Sequence, residues 1–239
     1  MSVTMTSSAS ERYIIPVWGQ FVQGASATYT GTIVTTNVGD TPATVTVKKI
    51  IPILEQPCVG SCTLLQWTLS GRSTQVISDQ GPAIYGDGHA LALGAVEIES
   101  DQPIEVASEI FSQDANNAIG WQSVEVGRDW ITGPSMIARG IPWIGTFRLY
   151  LINPNDFAIR FEYHSDYGKP AATLVAANSI AVIDLDSKFL GPLVGAEHPT
   201  GSAFPIYINA EFPYLAAAVI KSRAVSPDVR IARPLTKPR

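Results

Sequence analysis

The sequence predicts an all-β protein made of two tandem antiparallel β-sandwich domains. Short stretches of alternating apolar and polar residues are separated by clusters of Gly, Pro, Asn and Asp, as in half-buried strands joined by turns. Blocks of this pattern return in the same order about 110 residues later, which indicates an internal duplication. Neither half contains a convincing long amphipathic helix, so the sandwich is the favoured layer architecture.

The first repeated block is a strand that ends in asparagine before an Asp-containing turn, at Asn37 and again at Asn153. In both copies apolar residues follow the asparagine with a period of two, which predicts that they face a core. These residues are Ala43, Val45 and Val47 in the first copy, and Ile159, Phe161 and Tyr163 in the second.

Two further blocks recur in register with the first. Thr68-Leu69 leading to Val76-Ile77 matches Thr173-Leu174 leading to Val182-Ile183. Residues 96–111 alternate on both sides of a proline-containing turn, and the pattern returns at residues 206–220. We interpret residues 96–111 and 206–220 as equivalent β-hairpins.

These blocks predict where the domains begin and end. The expected boundaries are a Ser/Thr-rich arm at 1–11, a first sandwich at 12–128, a linker at 129–138, a second sandwich at 139–234 and a basic tail at 235–239.

The order of the repeated motifs carries a resemblance to a known class of domain. It consists of Ile-Pro-x-x-Gly at residues 15–19 and 141–145, a strand that ends in asparagine, and a late strand that closes on Ser-Asp-Gln-Pro-Ile-Glu-Val at 100–106. This order resembles the immunoglobulin-like tandem β-sandwich repeats of many bacterial secreted or surface proteins. The resemblance implies two immunoglobulin-like domains and, because most of those repeats have no assigned activity, no particular function.

The composition predicts a surface that is poor in charged groups. Charged residues make up 15% of the 239 residues, below the roughly 25% of an average soluble domain, so the surface must be built from uncharged polar groups. Such a surface suits an all-β protein and also one that is partly covered by partners. The net charge of −5 argues against nucleic-acid binding, which needs a basic face.

The first residues contain neither a basic segment nor an apolar one, and no stretch has the ~20 apolar residues of a membrane-spanning helix. We therefore expect a cytoplasmic location or the cytoplasmic face of a membrane, and a periplasmic or extracellular one if a leader was removed. Cys58 and Cys62 lie close enough in sequence for a disulfide, which would imply an oxidising compartment, but two free thiols in a loop are an equal alternative.

The 96–111 stretch predicts an acidic face. No Lys or Arg occurs between Ser73 and Val126, and Glu97, Glu99 and Glu105 occupy the outward positions of the predicted hairpin. This face is either a solvated surface that discourages aggregation through strand edges, or a docking face for a basic partner.

The equivalent stretch of the second copy predicts an apolar outward face. Its outward positions include Tyr207, Leu215, Ala217 and Val219, and an exposed sheet does not keep both faces apolar. Something should cover this face: the first domain, the linker near Trp130 and Ile131, or another chain.

We therefore expect a non-catalytic structural or interaction protein, a scaffold or accessory subunit of a larger assembly that includes other protein subunits and can lie at a membrane surface. We expect no catalytic residues, no cofactor and no metal site, because no motif with the required spacing is present. The alternative is a carbohydrate- or surface-binding module of a bacterial cell-surface protein. In that case Trp18, Trp67, Trp121 or Trp143 would stack on sugar rings.

Overall fold

The structure is a computed structural model, and every element that it describes is a β-strand. The described residues are 11–18, 20–23, 27–52, 63–78, 94–114, 119–142, 146–166, 169–185, 203–221 and 227–235. Within these ranges there is no helix, so the predicted all-β class is confirmed. It follows that the described part of the chain contains no helix that could cross a membrane.

The strands fall into two halves of the chain. Those of the first half are β1 (Glu11–Trp18), β2 (Gln20–Gln23), β3 (Ala27–Asn37), β4 (Ala43–Pro52), β5 (Thr63–Leu69), β6 (Thr74–Ser78), β7 (Gly94–Ser100), β8 (Ile104–Asp114) and β9 (Ile119–Val124). Those of the second half are β10 (Ser135–Pro142), β11 (Thr146–Asn153), β12 (Ile159–Ser165), β13 (Ala171–Val175), β14 (Ser179–Leu185), β15 (Ala203–Asn209), β16 (Leu215–Lys221), β17 (Pro227–Ile231) and β18 (Arg233–Pro234).

The strands form three sheets in which neighbours are mostly antiparallel. The first sheet has the order β1-β7-β4-β5, and the third has the order β13-β12-β15-β10-β18. The second sheet runs β14-β11-β16-β17-β9-β8-β3-β2, with β6 also paired to β3. Two short parallel pairings, β4 with β14 and β9 with β17, connect strands of the two halves. This arrangement is consistent with a β-sandwich.

Six strand pairings of the first half recur in the second half. In the first half β1 and β4 flank β7, β4 pairs with β5, β6 and β8 flank β3, and β8 pairs with β9. In the second half β10 and β12 flank β15, β12 pairs with β13, β14 and β16 flank β11, and β16 pairs with β17. Matched pairings define equivalent positions in the two halves.

The interpretation of residues 96–111 as a hairpin is wrong. β7 and β8 flank the same turn but do not pair with each other, because β7 lies between β1 and β4 while β8 lies between β3 and β9. The turn is an arch that carries the chain from one sheet to another. The same correction applies to β15 and β16. An arch and a hairpin join strands with identical alternation, so periodicity alone does not distinguish them.

The prediction for the repeated asparagine motif is confirmed. Ala43, Val45 and Val47 are buried in the first half, and so are their equivalents Ile159, Phe161 and Tyr163. A strand that is buried on alternate residues forms one wall of a core.

The two asparagines themselves are fully buried. They end β3 and β11, and the turns that follow them are also arches, because β3 does not pair with β4 and β11 does not pair with β12. Asn37 Nδ2 donates to the carbonyls of Thr41 and Leu69 at 2.8 and 3.2 Å. Asn153 Nδ2 donates to the carbonyls of Phe157 and Val175 at 2.8 and 3.1 Å. Because each amide satisfies buried carbonyls from two segments, it fixes the arch against the neighbouring strand.

The stretch between the halves is bonded to both of them. Gly127 exchanges backbone hydrogen bonds with Ile14 of β1, and Ile131 does so with Tyr214, which precedes β16. Strand β10 begins at Ser135, inside the stretch predicted as linker. The linker was predicted to extend further because Gly133-Pro134-Ser135 is typical of a loop. Of the predicted arm at 1–11 and tail at 235–239, residues 1–10 and 236–239 lie outside the described residues.

Candidate interaction surface

The apolar outward positions of β16 are buried within the chain. Leu215 is 1% exposed and Ala217 0%. Gly127 explains part of this cover, since a Cβ placed on it would stand 3.5 Å from Leu215 Cδ1 and 3.6 Å from Ile231 Cδ1. Leu215 and Ala217 therefore do not form a surface for another chain, and that prediction is wrong for them. The side chain of Val219 lies outside the described residues.

The first half supplies the rest of the cover. Strand β1 is buried on both faces from Tyr13 to Trp18, which requires one layer on each side of it. The strands that approach it outside its own sheet include β3 and β8 of its own half and β16 of the second half. Of the three covers considered for the apolar face, the structure shows the first half together with the stretch near Ile131.

The predicted acidic face does not exist as one surface. Glu97 and Glu99 lie on β7 in the first sheet, whereas Glu105 lies exposed on β8 in the second sheet. Glu97 pairs with Arg12 at 2.8 Å and Glu99 with Lys48 at 2.5 Å. Both cations come from the strands that flank β7, outside the stretch in which no Lys or Arg occurs, so the sequence did not reveal the compensation.

Glu97 lies near the contact between the halves. Its side chain is 15% exposed, and burial raises the pKa of its carboxyl. The positive charges of Arg12 and Lys48 and a hydrogen bond from the Trp130 indole act in the opposite direction. The carboxyl group is thus held by side chains of β1, β4 and the stretch between the halves, and it presents little charge to a partner.

Tyr207 lies on the outer face of the third sheet and is partly exposed. Its ring stacks on that of His164, with centroids 5.0 Å apart and planes 20° from parallel. Burial and then the charge and hydrogen bond of Asp166 raise the pKa of the Tyr207 hydroxyl. The pair offers a small flat surface, although one face of each ring is already covered by the other ring.

The tryptophans give little support to sugar stacking. Trp18 is fully buried, so it cannot contact a ligand, and the prediction is wrong for this residue. Trp67 is partly buried against the core. The side chains of Trp121 and Trp143 lie outside the described residues, as do Cys58 and Cys62. In the part of the chain that the structure describes, no group of His, Cys, Asp and Glu could hold a metal ion.

An aromatic pair that the sequence did not predict lies at one end of the second half. Phe157 is in the arch between β11 and β12, and Phe212 is in the arch between β15 and β16. They are 43% and 44% exposed, and their rings meet edge to face with centroids 4.8 Å apart. Asp156 and Glu211 beside them are exposed. We call these four residues the aromatic tip.

The aromatic tip is held by partly buried hydrogen bonds. Asn153 binds the carbonyl of Phe157, and its Oδ1 accepts from the backbone of Asn155 at 2.9 Å. Asn155 Nδ2 in turn donates to the carbonyl of Pro213, next to Phe212, at 2.8 Å. The two arches are thereby joined, so the rings are presented in a fixed arrangement and lose little entropy on binding.

At the equivalent positions the first half has no aromatic pair. Phe157 follows Asn153 at the position where Thr41 follows Asn37, and Phe212 precedes Pro213 where Gln102 precedes Pro103. Asp40, the equivalent of Asp156, pairs with Arg72 at 2.5 Å, but the position equivalent to Arg72 is Asn178. Comparing the copies turn by turn would have shown this substitution of phenylalanine for polar residues.

The chemistry available at the aromatic tip is recognition. Ring faces attract cations, and the exposed carboxylates beside them add negative charge that attracts cations as well. Comparisons of the chain with protein-family models, with curated proteins and with solved structures find no match.

Proposed function

We propose that the chain is a non-catalytic interaction protein, a subunit of a larger protein assembly, that contacts its partner through the aromatic tip. In this proposal its halves are two tandem immunoglobulin-like β-sandwiches that arose by duplication. The shared strand pairings, the repeated buried asparagine and the repeated proline of the second arch support the duplication.

The exposed Phe157–Phe212 pair is the observation that carries the proposal. Burial of a phenylalanine side chain contributes roughly 1.5–3 kcal/mol, so rings that are a little under half exposed forgo about 1 kcal/mol each. Aromatic residues presented rigidly on a surface are typical of the residues that dominate protein interfaces.

The difference between the halves points the same way. The first half has threonine and glutamine at the two positions, and its acid is paired within the chain. The fold therefore does not require phenylalanine there. A contact that only the second half makes with a partner would explain why phenylalanine occurs in its arches and not in the equivalent arches of the first half.

The proposal is tested by capture from the native source with the purified chain as bait. The variant Phe157→Thr with Phe212→Gln gives the tip the residues of the first half. We expect it to lose the captured protein by at least tenfold while keeping its fold.

The matched control is Val76→Thr, which removes a more exposed apolar side chain from β6, at 60% exposure. It should capture as much as the unmodified chain. Equal capture by the tip variant and the unmodified chain, or no specific partner for either, would refute the proposal.

A further inference from the structure

The outward side of β3 and β8 forms the open face of the first half, and it carries Val34, Thr36, Glu105 and Ala107. We propose that a groove on this open face binds an extended segment of a partner protein. The segment presents a basic side chain and, two residues along, an apolar side chain. The groove is separate from the aromatic tip, so it is a second binding site.

The open face lies at a position that is covered in the second half. Val34 and Ala107 pair across β3 and β8, as their equivalents Tyr150 and Ala217 pair across β11 and β16. Tyr150 is 3% exposed and Ala217 0%, whereas Ala107 is exposed. The same place in the fold is therefore buried in one half and accessible in the other.

The groove borders the contact between the halves. It has a volume of about 290 Å³, and the residues of the open face line it together with Tyr13 of β1 and with Val126 and Arg128, which follow β9. The guanidinium of Arg128 lies 5.9 Å from the centre of the Tyr13 ring. Gly127, between the two lining residues, lies beside Leu215 of the second half. A molecule in the groove would thus continue the packing that the halves begin.

An extended segment is the occupant that this place in the fold already accepts. In the second half, a strand of the chain itself, β1, approaches β16 together with Gly127. The groove is at the lower limit of small-molecule sites, which measure roughly 300–1,000 Å³, so it suits one or two inserted side chains better than a whole ligand. A second copy would repeat the contact of the halves with Glu105 in the place of Leu215, which would bury a carboxylate against apolar residues.

Charge and spacing select the side chains of the segment. Glu105 is exposed, and within the described residues it forms no ion pair. Glu105 and Ala107 are two residues apart on β8, so they point the same way at a separation of roughly 7 Å. An extended segment repeats at the same spacing, so a basic side chain beside Glu105 places an apolar one over Ala107 and Val34. The guanidinium of Arg128 is a donor for a backbone carbonyl of the segment.

Random heptapeptides displayed on phage test the inference. Phage that bind the variant Ala107→Arg, which puts a long cationic side chain into the groove, are removed before selection on the unmodified chain. We expect the enriched peptides to carry Lys or Arg two positions from Val, Ile, Leu or Phe. Because Ala107 is exposed, Ala107→Arg should keep the urea midpoint of the unmodified chain.

The affinity of the most enriched peptide is then measured by fluorescence anisotropy. Glu105→Gln should weaken binding by about fivefold, since the ion pair that it removes is exposed to solvent. Glu109→Gln is the matched control, because it removes the same charge from an exposed position of β8 that does not line the groove, and it should leave the affinity unchanged. Phe157→Thr with Phe212→Gln should also leave it unchanged, so the groove and the aromatic tip can fail separately.

Three results would overturn the inference. One is a selection that enriches no peptide, or peptides without a fixed spacing between basic and apolar residues. Another is an equal affinity for the unmodified chain and Glu105→Gln. The last is association of the unmodified chain with itself in light scattering that Ala107→Arg abolishes, because the occupant would then be a second copy.

Discussion

Shortening Leu215 to alanine tests whether the two halves are packed against each other as one structure. Leu215 is 1% exposed and lies beside Gly127, which has no side chain to fill the space. Replacing a buried leucine by alanine lowers the free energy of unfolding by about 2–5 kcal/mol. We expect a loss in the upper part of this range, since Gly127 has no side chain that could shift into the cavity.

The measurement is equilibrium unfolding in urea, followed by tryptophan fluorescence. Glu105→Ala is the matched control, because Glu105 occupies the same place on β8 as Leu215 does on β16 but is exposed. A substitution at such a surface position should change the free energy of unfolding by no more than about 0.5 kcal/mol.

Light scattering on the same samples distinguishes cover by the chain itself from cover by another chain. The chain covers Leu215 itself, so Leu215→Ala should not change the molar mass. A loss in the free energy of unfolding below about 1 kcal/mol for Leu215→Ala would refute the packing of the halves. A fall in molar mass for Leu215→Ala would show that another chain covers Leu215.

The buried asparagines and Glu97 give further predictions. Asn153→Ala should lower the free energy of unfolding by about 3 kcal/mol, since it leaves buried carbonyls without donors; Asn209→Ala, at an exposed position, should have little effect. The raised pKa of Glu97 means that the folded state binds its proton more tightly than the unfolded chain. Its contribution to stability should therefore be lost as the pH rises above the ordinary glutamate value of about 4.3 and through the raised pKa. Urea midpoints measured across this range should fall less for Glu97→Gln than for the unmodified chain.

The sequence predicted the class and much of the core because alternation reports burial directly. The residues at alternate positions after Asn37 and Asn153 are buried, as the pattern indicates. The sequence did not reveal which strands pair, since the turns at Pro103 and Pro213 join strands of different sheets. This single error placed Glu97 and Glu105 on one face.

The surfaces were harder to predict because cover depends on distant segments. Nothing local to β16 shows that Gly127 and β1 lie on its apolar face, and nothing local to β7 shows that Arg12 and Lys48 flank it. The aromatic tip was missed for a different reason: an aromatic residue in a turn is uninformative until the equivalent turn of the other half is compared with it.

The packing of the halves also explains why the equivalent face of the first half is polar. The contact joins two different surfaces, since β1 of the first sheet approaches β16 of the second half. A contact between two different surfaces can repeat from one copy of the chain to the next without forming a closed ring. In the second half the contact face includes Ile152 paired with Leu215. The equivalent pair on the open face of the first half is Thr36 with Glu105.

Changing that pair should therefore open the contact to a second copy. We expect Thr36→Ile with Glu105→Leu to cause concentration-dependent association in light scattering, because the open face would then match the buried one. Thr36→Ser with Glu105→Gln removes the charge without adding apolar surface, and it should remain at the mass of the unmodified chain. Equal molar masses for all three proteins at high concentration would show that Thr36 and Glu105 are not what prevents a second copy from binding to the open face.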